Sequence, residues 1–109
     1  MVRYLYLGKY STEGLKGLAA EGGTKRREAT GQLVESLGGR MTEYAFAVGE
    51  YDFIVIAEMP DDTAALVPSI MAGSTGTVRV LTVPLRSPAE IDAVSARIAE
   101  ATFRAAGHS

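Results

Sequence analysis

The chain predicts an α+β domain in which helices cover one face of a four-stranded antiparallel sheet. Three observations carry this reading. Four runs alternate with the two-residue period of a strand, helix-period segments follow the first and third runs, and a glycine-bearing turn of hairpin length joins the middle two. At 109 residues, 47% apolar and 22% charged, the chain has the size and balance of one ordinary domain.

Val2 to Tyr10 reads as the first strand, with Tyr4, Tyr6, Gly8 and Tyr10 on one face and Leu5 and Leu7 on the other. Ser11 and Thr12 offer caps for a short helix, Glu13 suits its first turn, and Leu15, Leu18 and Ala19 follow at helical spacing. Gly22-Gly23 interrupts that helix. Thr24 is placed to cap a second one, with Ala29, Leu33, Val34 and Leu37 on one stripe and Gly38-Gly39 at its end. Two strands come next, Arg40 to Val48 and Tyr51 to Met59, and Gly49-Glu50 between them has the length of a tight antiparallel hairpin.

Pro60-Asp61-Asp62 opens a third helix, with Leu66, Val67, Ile70 and Met71 expected on its buried face. Pro68 inside it removes a backbone donor, which predicts a kink or an early stop. A Gly73-Ser74-Thr75-Gly76 loop leads to a fourth strand, Thr77 to Leu85. Ser87-Pro88-Ala89-Glu90 then joins a serine cap, proline at the first helical position and glutamate at the third, and Ile91, Val94, Ile98 and Ala101 form the stripe of a final helix. The order is strand, helix, strand, strand, helix, strand, which is the ferredoxin-like arrangement. The chain reads as one domain over residues 1–109, with a core over about 2–90 and a C-terminal helical extension over about 87–106.

Helices in this arrangement cover one sheet face, and here neither face is polar. Tyr51, Phe53, Val55 and Ala57 oppose Ile54 and Ile56, while Tyr44, Phe46 and Val48 oppose Ala45 and Ala47. An uncovered apolar face of this size exceeds what monomers expose, so a second copy is expected against it, giving a homodimer with sheets face to face. An interface of ~800 Å² per partner, at ~25 cal/mol per Å² of apolar area, has enough gross driving force to offset an association cost of ~4–15 kcal/mol. The alternative is that the final helix folds back over the open face.

The net charge of −2 and the scattered Lys and Arg residues give no field to hold a phosphate backbone, so nucleic acid is not an expected partner. No cysteine is present to form a disulfide, thiolate nucleophile or thiolate metal site. No run approaches the ~18 apolar residues of a membrane span, and Met1 to Leu7 lacks the pattern of a signal peptide, so the expectation is a cytoplasmic protein without a membrane partner. His108 is the single histidine, and no metal or cofactor is expected.

With its elements in order, the sequence resembles the GYD domain family of the dimeric α/β-barrel group. The residues that carry the resemblance are Tyr10 with Thr12-Glu13-Gly14-Leu15-Lys16, Arg27 with Ala29, Leu37-Gly38-Gly39, and Gly49-Glu50-Tyr51-Asp52 entering the Phe53-Ile54-Val55-Ile56 run. It covers about residues 2 to 90. It implies the ferredoxin-like fold and dimerisation and leaves the chemistry open. Related barrel families include cofactor-independent oxygenases, isomerases, haem-dependent enzymes and ligand-sensing domains.

The candidate ligand-binding residues are Arg27, Tyr51, Asp52, Tyr10 and Glu50. Lys25-Arg26-Arg27 places cations at a helix start that normally favours carboxylates, and a guanidinium there suits an anion. Of the three, Arg27 is the one the resemblance includes. Its alternative is an ion pair with Glu50 or Asp52. Those two carboxylates can divide acid and base roles if buried, or serve as polar hairpin residues. The tyrosines can line an aromatic pocket or be core and interface material. The leading expectation is a homodimeric barrel that binds a small anionic or aromatic molecule. The alternatives are a cofactor-independent oxygenase or isomerase, and a structural assembly module.

Overall fold

Strand β1 (Val2–Tyr10) lies between β3 (Phe53–Met59) and β4 (Val78–Leu85), and β2 (Arg40–Phe46) completes the sheet beyond β3. The order is β2-β3-β1-β4 and every pairing is antiparallel. The helices are α1 (Thr12–Glu21), α2 (Gly23–Ser36), α3 (Asp62–Gly73) and α4 (Pro88–Ile98). These elements come from a computed structural model that describes residues 1–47 and 49–107; Val48 and His108, both named above, lie outside them. The ferredoxin-like fold expected from the element order is the fold observed.

The core follows the strand alternation. Tyr4 and Tyr6 of β1, Phe53, Val55, Ala57 and Met59 of β3, and Val78 of β4 meet Val34 of α2 and Ala65 of α3. These residues point to one face because successive side chains of a strand alternate. The opposite face carries Leu5, Leu7, Ile54 and Ile56 at its centre, paired in register as Leu5 with Ile56 and Leu7 with Ile54, and among the described residues no helix covers it. Leu81 of β4 lies beside Leu7 and is half exposed.

Several local expectations are corrected. The strands on either side of the Gly49-Glu50 turn are shorter than expected: β2 ends at Phe46 and β3 begins at Phe53. The Ala47 N–H donates to the Asp52 carbonyl at 2.9 Å and continues the register in which Phe46 pairs with Phe53, so the chain reverses about Gly49-Glu50 as expected, while the Asp52 N–H donates to the Gly8 carbonyl at 2.7 Å. The N-cap of α2 is Gly22, at φ 91°, and not Thr24. A positive φ is reached at little cost without a Cβ, so α2 starts immediately after α1 ends.

Helix α3 turns the other way from its predicted orientation. Leu66, Ile70 and Met71 are exposed, and the buried side is Ala65, with Ala64 and Ala72 beside it. Small side chains let the helix backbone approach the sheet closely enough for the Tyr6 hydroxyl to donate to the Ala65 carbonyl at 2.6 Å. Asp61 caps this helix at the Ala64 N–H, and the helix runs through Pro68 to Gly73 without the early stop. Helix α4 has both halves of its predicted capping box, yet Ile91, Val94 and Ile98 are exposed and the helix does not fold back over the sheet. The radius of gyration is 17.5 Å, against ~13 Å for a compact chain of this length, consistent with a projecting α4.

Candidate functional site

A cavity of about 210 Å³ lies between the helices and the sheet. Its floor is aromatic: Tyr6 and Tyr10 of β1, Tyr44 of β2 and Phe53 of β3. The Phe53 ring lies across Gly8, where a Cβ would come within 1.9 Å of it. From there it stacks on Tyr44 with centroids 6.0 Å apart and meets Tyr10 at 5.3 Å. Valines complete the floor, and Ala29, Thr30 and Leu33 of α2 form part of the roof. Space remains because α3 contributes only Pro68 and Ala72 to the lining.

The polar groups gather at one end. Arg26 lines the cavity and its Nη1 lies 3.3 Å from Glu21 Oε2 across the α1–α2 junction. Burial pushes the phenols of Tyr10 and Tyr44 above their ordinary pKa, and the nearby Arg26 charge only partly opposes this. Burial likewise pushes Tyr6 up to about 12. These three phenols therefore stay protonated at neutral pH; Tyr6 gives its proton to the Ala65 carbonyl, while the Tyr10 and Tyr44 hydroxyls can donate or accept. Tyr44 faces the hydroxyls of both Tyr10 and Thr30. The site is an apolar chamber with one cation and several hydroxyls at one end.

Of the five residues singled out from the sequence, Tyr10 lines this cavity. Asp52 stands one step behind it. Its Oδ2 accepts the Tyr10 N–H at 2.8 Å, and its Oδ1 lies 3.4 Å from Lys9 Nζ, which fixes the end of β1 from which the Tyr10 ring projects. Glu50 is exposed and Tyr51 half-buried, and neither lines the cavity. Arg27 faces a separate polar recess with Met41, Thr42, Glu43 and Tyr44, and Asp52 pairs with Lys9 instead of Arg27.

A family model for the GYD domain matches residues 4–94. The chain belongs to the GYD domain family. No curated protein and no solved structure matches it. Among the described residues of this GYD domain no helix is long and apolar enough to cross a membrane, and no group of acidic or histidine side chains is arranged to hold a metal ion.

Arg26 is the residue that sequence reasoning passed over, though the signal was present. Arg26, Ala29, Thr30, Leu33, Val34 and Leu37 recur at the spacing of one helix face. That stripe puts Arg26 above the sheet of the GYD domain and turns Arg27 about 100° away from it.

Proposed function

We propose that this GYD domain is a small-molecule-binding homodimer whose ligand, anionic or aromatic, occupies the cavity between sheet and helices. The observation that carries the reading is the aromatic floor formed by Tyr10, Tyr44 and Phe53 beneath a single guanidinium. A mostly apolar concavity with a few convergent polar groups is the general form of a small-molecule site. Binding is favoured over proton transfer because no carboxylate lines the cavity among the described residues, and Asp52 is occupied by the Tyr10 backbone and Lys9.

The second copy is proposed to cover the open sheet face. Leu5, Leu7, Ile54 and Ile56 form an apolar centre there, while the Arg40–Glu58 pair, at 3.0 Å, marks its margin beside β2. An apolar centre with a charged rim is the usual anatomy of a stable interface.

Native mass spectrometry beside the denatured mass tests both parts. A dimer carrying added mass is expected, with the added mass lost in the cavity-filling variant Ala29→Leu. A monomer would remove the paired-sheet reading, and added mass that persists in Ala29→Leu would place the ligand elsewhere.

A further inference from the structure

We propose that the cavity selects a monocarboxylate with a compact apolar body, one ring or its branched aliphatic equivalent, and that Arg26 is the anchor for its carboxylate. This rests on the reading of the cavity as a small-molecule site and names the class of molecule that fits it.

Size gives the first constraint. An engineered apolar cavity of ~150 Å³ holds one benzene. The space here is about 210 Å³, which admits one ring and a short substituent. The floor favours a flat apolar body, since the Tyr44 and Phe53 rings are stacked within 6° of parallel.

Chemistry gives the second. Arg26 is the only charged residue of the lining among the described residues, with Thr30 one turn along α2 and Tyr10 of β1 and Tyr44 of β2 close enough to feel its charge. The guanidinium presents only donors and carries a positive charge, and the protonated phenols beside it can add donors of their own, so acceptor oxygens and negative charge at one end of the ligand match it best. A phosphate is a poorer fit. It carries a charge near −2 and three strong acceptor oxygens, which call for several cationic partners. Here there is one guanidinium, already beside the Glu21 carboxylate. A guanidinium has five N–H donors in a planar fork, so Arg26 can hold Glu21 on one side and a ligand carboxylate on the other.

Glu21 thereby acquires a definable role as an internal competitor. Its carboxylate lies 3.3 Å from Arg26 Nη1 and repels a second anion arriving at the same group. Removing its charge should tighten the binding of an anionic ligand, and removing the charge of Arg26 should erase the preference for anions.

The experiment is calorimetric titration with benzoate, benzamide, phenyl phosphate and toluene. Wild type, Arg26→Gln and Glu21→Gln are compared, with circular dichroism confirming that each is folded and Arg26→Lys tested for partial rescue. In the wild type, benzoate is expected to bind at least about tenfold more tightly than benzamide or phenyl phosphate, a margin within reach of one charged hydrogen-bonding partner. In Arg26→Gln that preference should fall to near unity while toluene binding is unchanged. In Glu21→Gln benzoate should bind about fivefold more tightly, as expected for removal of a nearby like charge. Equal affinity for benzoate and benzamide in the wild type, tighter binding of phenyl phosphate, or a preference surviving in Arg26→Gln would overturn the assignment. Toluene binding without benzoate binding overturns the carboxylate class alone. Failure of all four probes removes the cavity reading as well.

Discussion

The two faces of this sheet are built from the same strands and nearly the same kinds of residue, yet they differ in what they can do. On the covered face, Tyr6, Phe53 and Val55 are buried beneath helices that leave a small chamber. On the open face, Leu5, Leu7, Ile54 and Ile56 are only partly buried, shielded by neighbours along and across the strands. Apolar alternation thus identifies two apolar surfaces without saying what covers each. Helices do so on one side, with Ala65 and Val34 at the contact. On the other, the same pressure is what supports a second copy.

Adjacent residues of β3 offer the strongest way to break this comparison. Val55 is 2% exposed on the covered face, whereas Ile56 faces the open side. Val55→Asp places an unpaired carboxylate in the core and is expected to cost about 4 kcal/mol or more, enough to unfold much of a marginally stable domain. Ile56→Asp should leave the fold intact and raise the dissociation constant of the proposed dimer at least about a hundredfold, as expected when an unpaired charge is forced into an apolar contact. Urea unfolding followed by circular dichroism reads the first effect and analytical ultracentrifugation the second. If both variants unfold alike and assembly is unaffected, the two faces do not have distinct roles.

A smaller effect sharpens the comparison inside α1. Gly14 is buried where the helix meets β4, and a Cβ there would fall 2.1 Å from the Thr77 carbonyl oxygen. The Ser11 N–H also donates to that carbonyl, at 2.9 Å, so the backbone cannot readily retreat. Gly14→Ala should therefore destabilise by about 2 kcal/mol. Gly17, in the same helix, would meet nothing within 4 Å. There alanine should stabilise by about 0.5–1 kcal/mol through helix propensity. Opposite signs in thermal unfolding would confirm that α1 docks through a glycine. Equal effects would show that its close approach to β4 is not constrained.

This docking also explains how far the fold could be read from the chain. Strand alternation, the Ser11 and Ser87 caps and the glycines after α2 are local signals, and they gave β1, the start of α1, the end of α2 and the start of α4 closely. The orientation of α3 could not be read by ranking hydrophobicity, because Leu66, Ile70 and Met71 point outward while the smaller Ala65 allows contact with β1. The Gly49-Glu50 turn was legible from its local pattern, but the hold of Gly8 and Tyr10 on Asp52 beside it was not, because it joins residues more than 40 positions apart. The candidate site was legible in part. Tyr10 lines the cavity as a pocket tyrosine can, and the helical stripe of α2 points Arg26 toward that cavity while Arg27 lines the separate recess beside β2.

The tyrosines supply the last test, and its direction follows from where they lie. Tyr4, Tyr6, Tyr10 and Tyr44 are all on the covered face, so the raised phenols report on that face. Burial raises the Tyr6 phenol from 10.0 to about 12 and shifts Tyr10 and Tyr44 in the same direction. The folded state thus favours the protonated phenols. Their contribution to stability is fully present below the unfolded value near pH 10 and is lost as pH rises through the folded values, starting between about pH 10 and 12. At neutral pH no loss is expected from this source. Tyr6→Phe should forfeit about 1 kcal/mol at neutral pH through the lost bond to the Ala65 carbonyl, and should then show a shallower alkaline decline because one titrating group is gone. Phenolate absorbance and unfolding free energy measured across this range should change together. Dimer dissociation at a pH where the phenols remain protonated would instead implicate charges at the rim of the open face, tying its assembly to Lys9, Arg3 and their carboxylate neighbours rather than to the covered core.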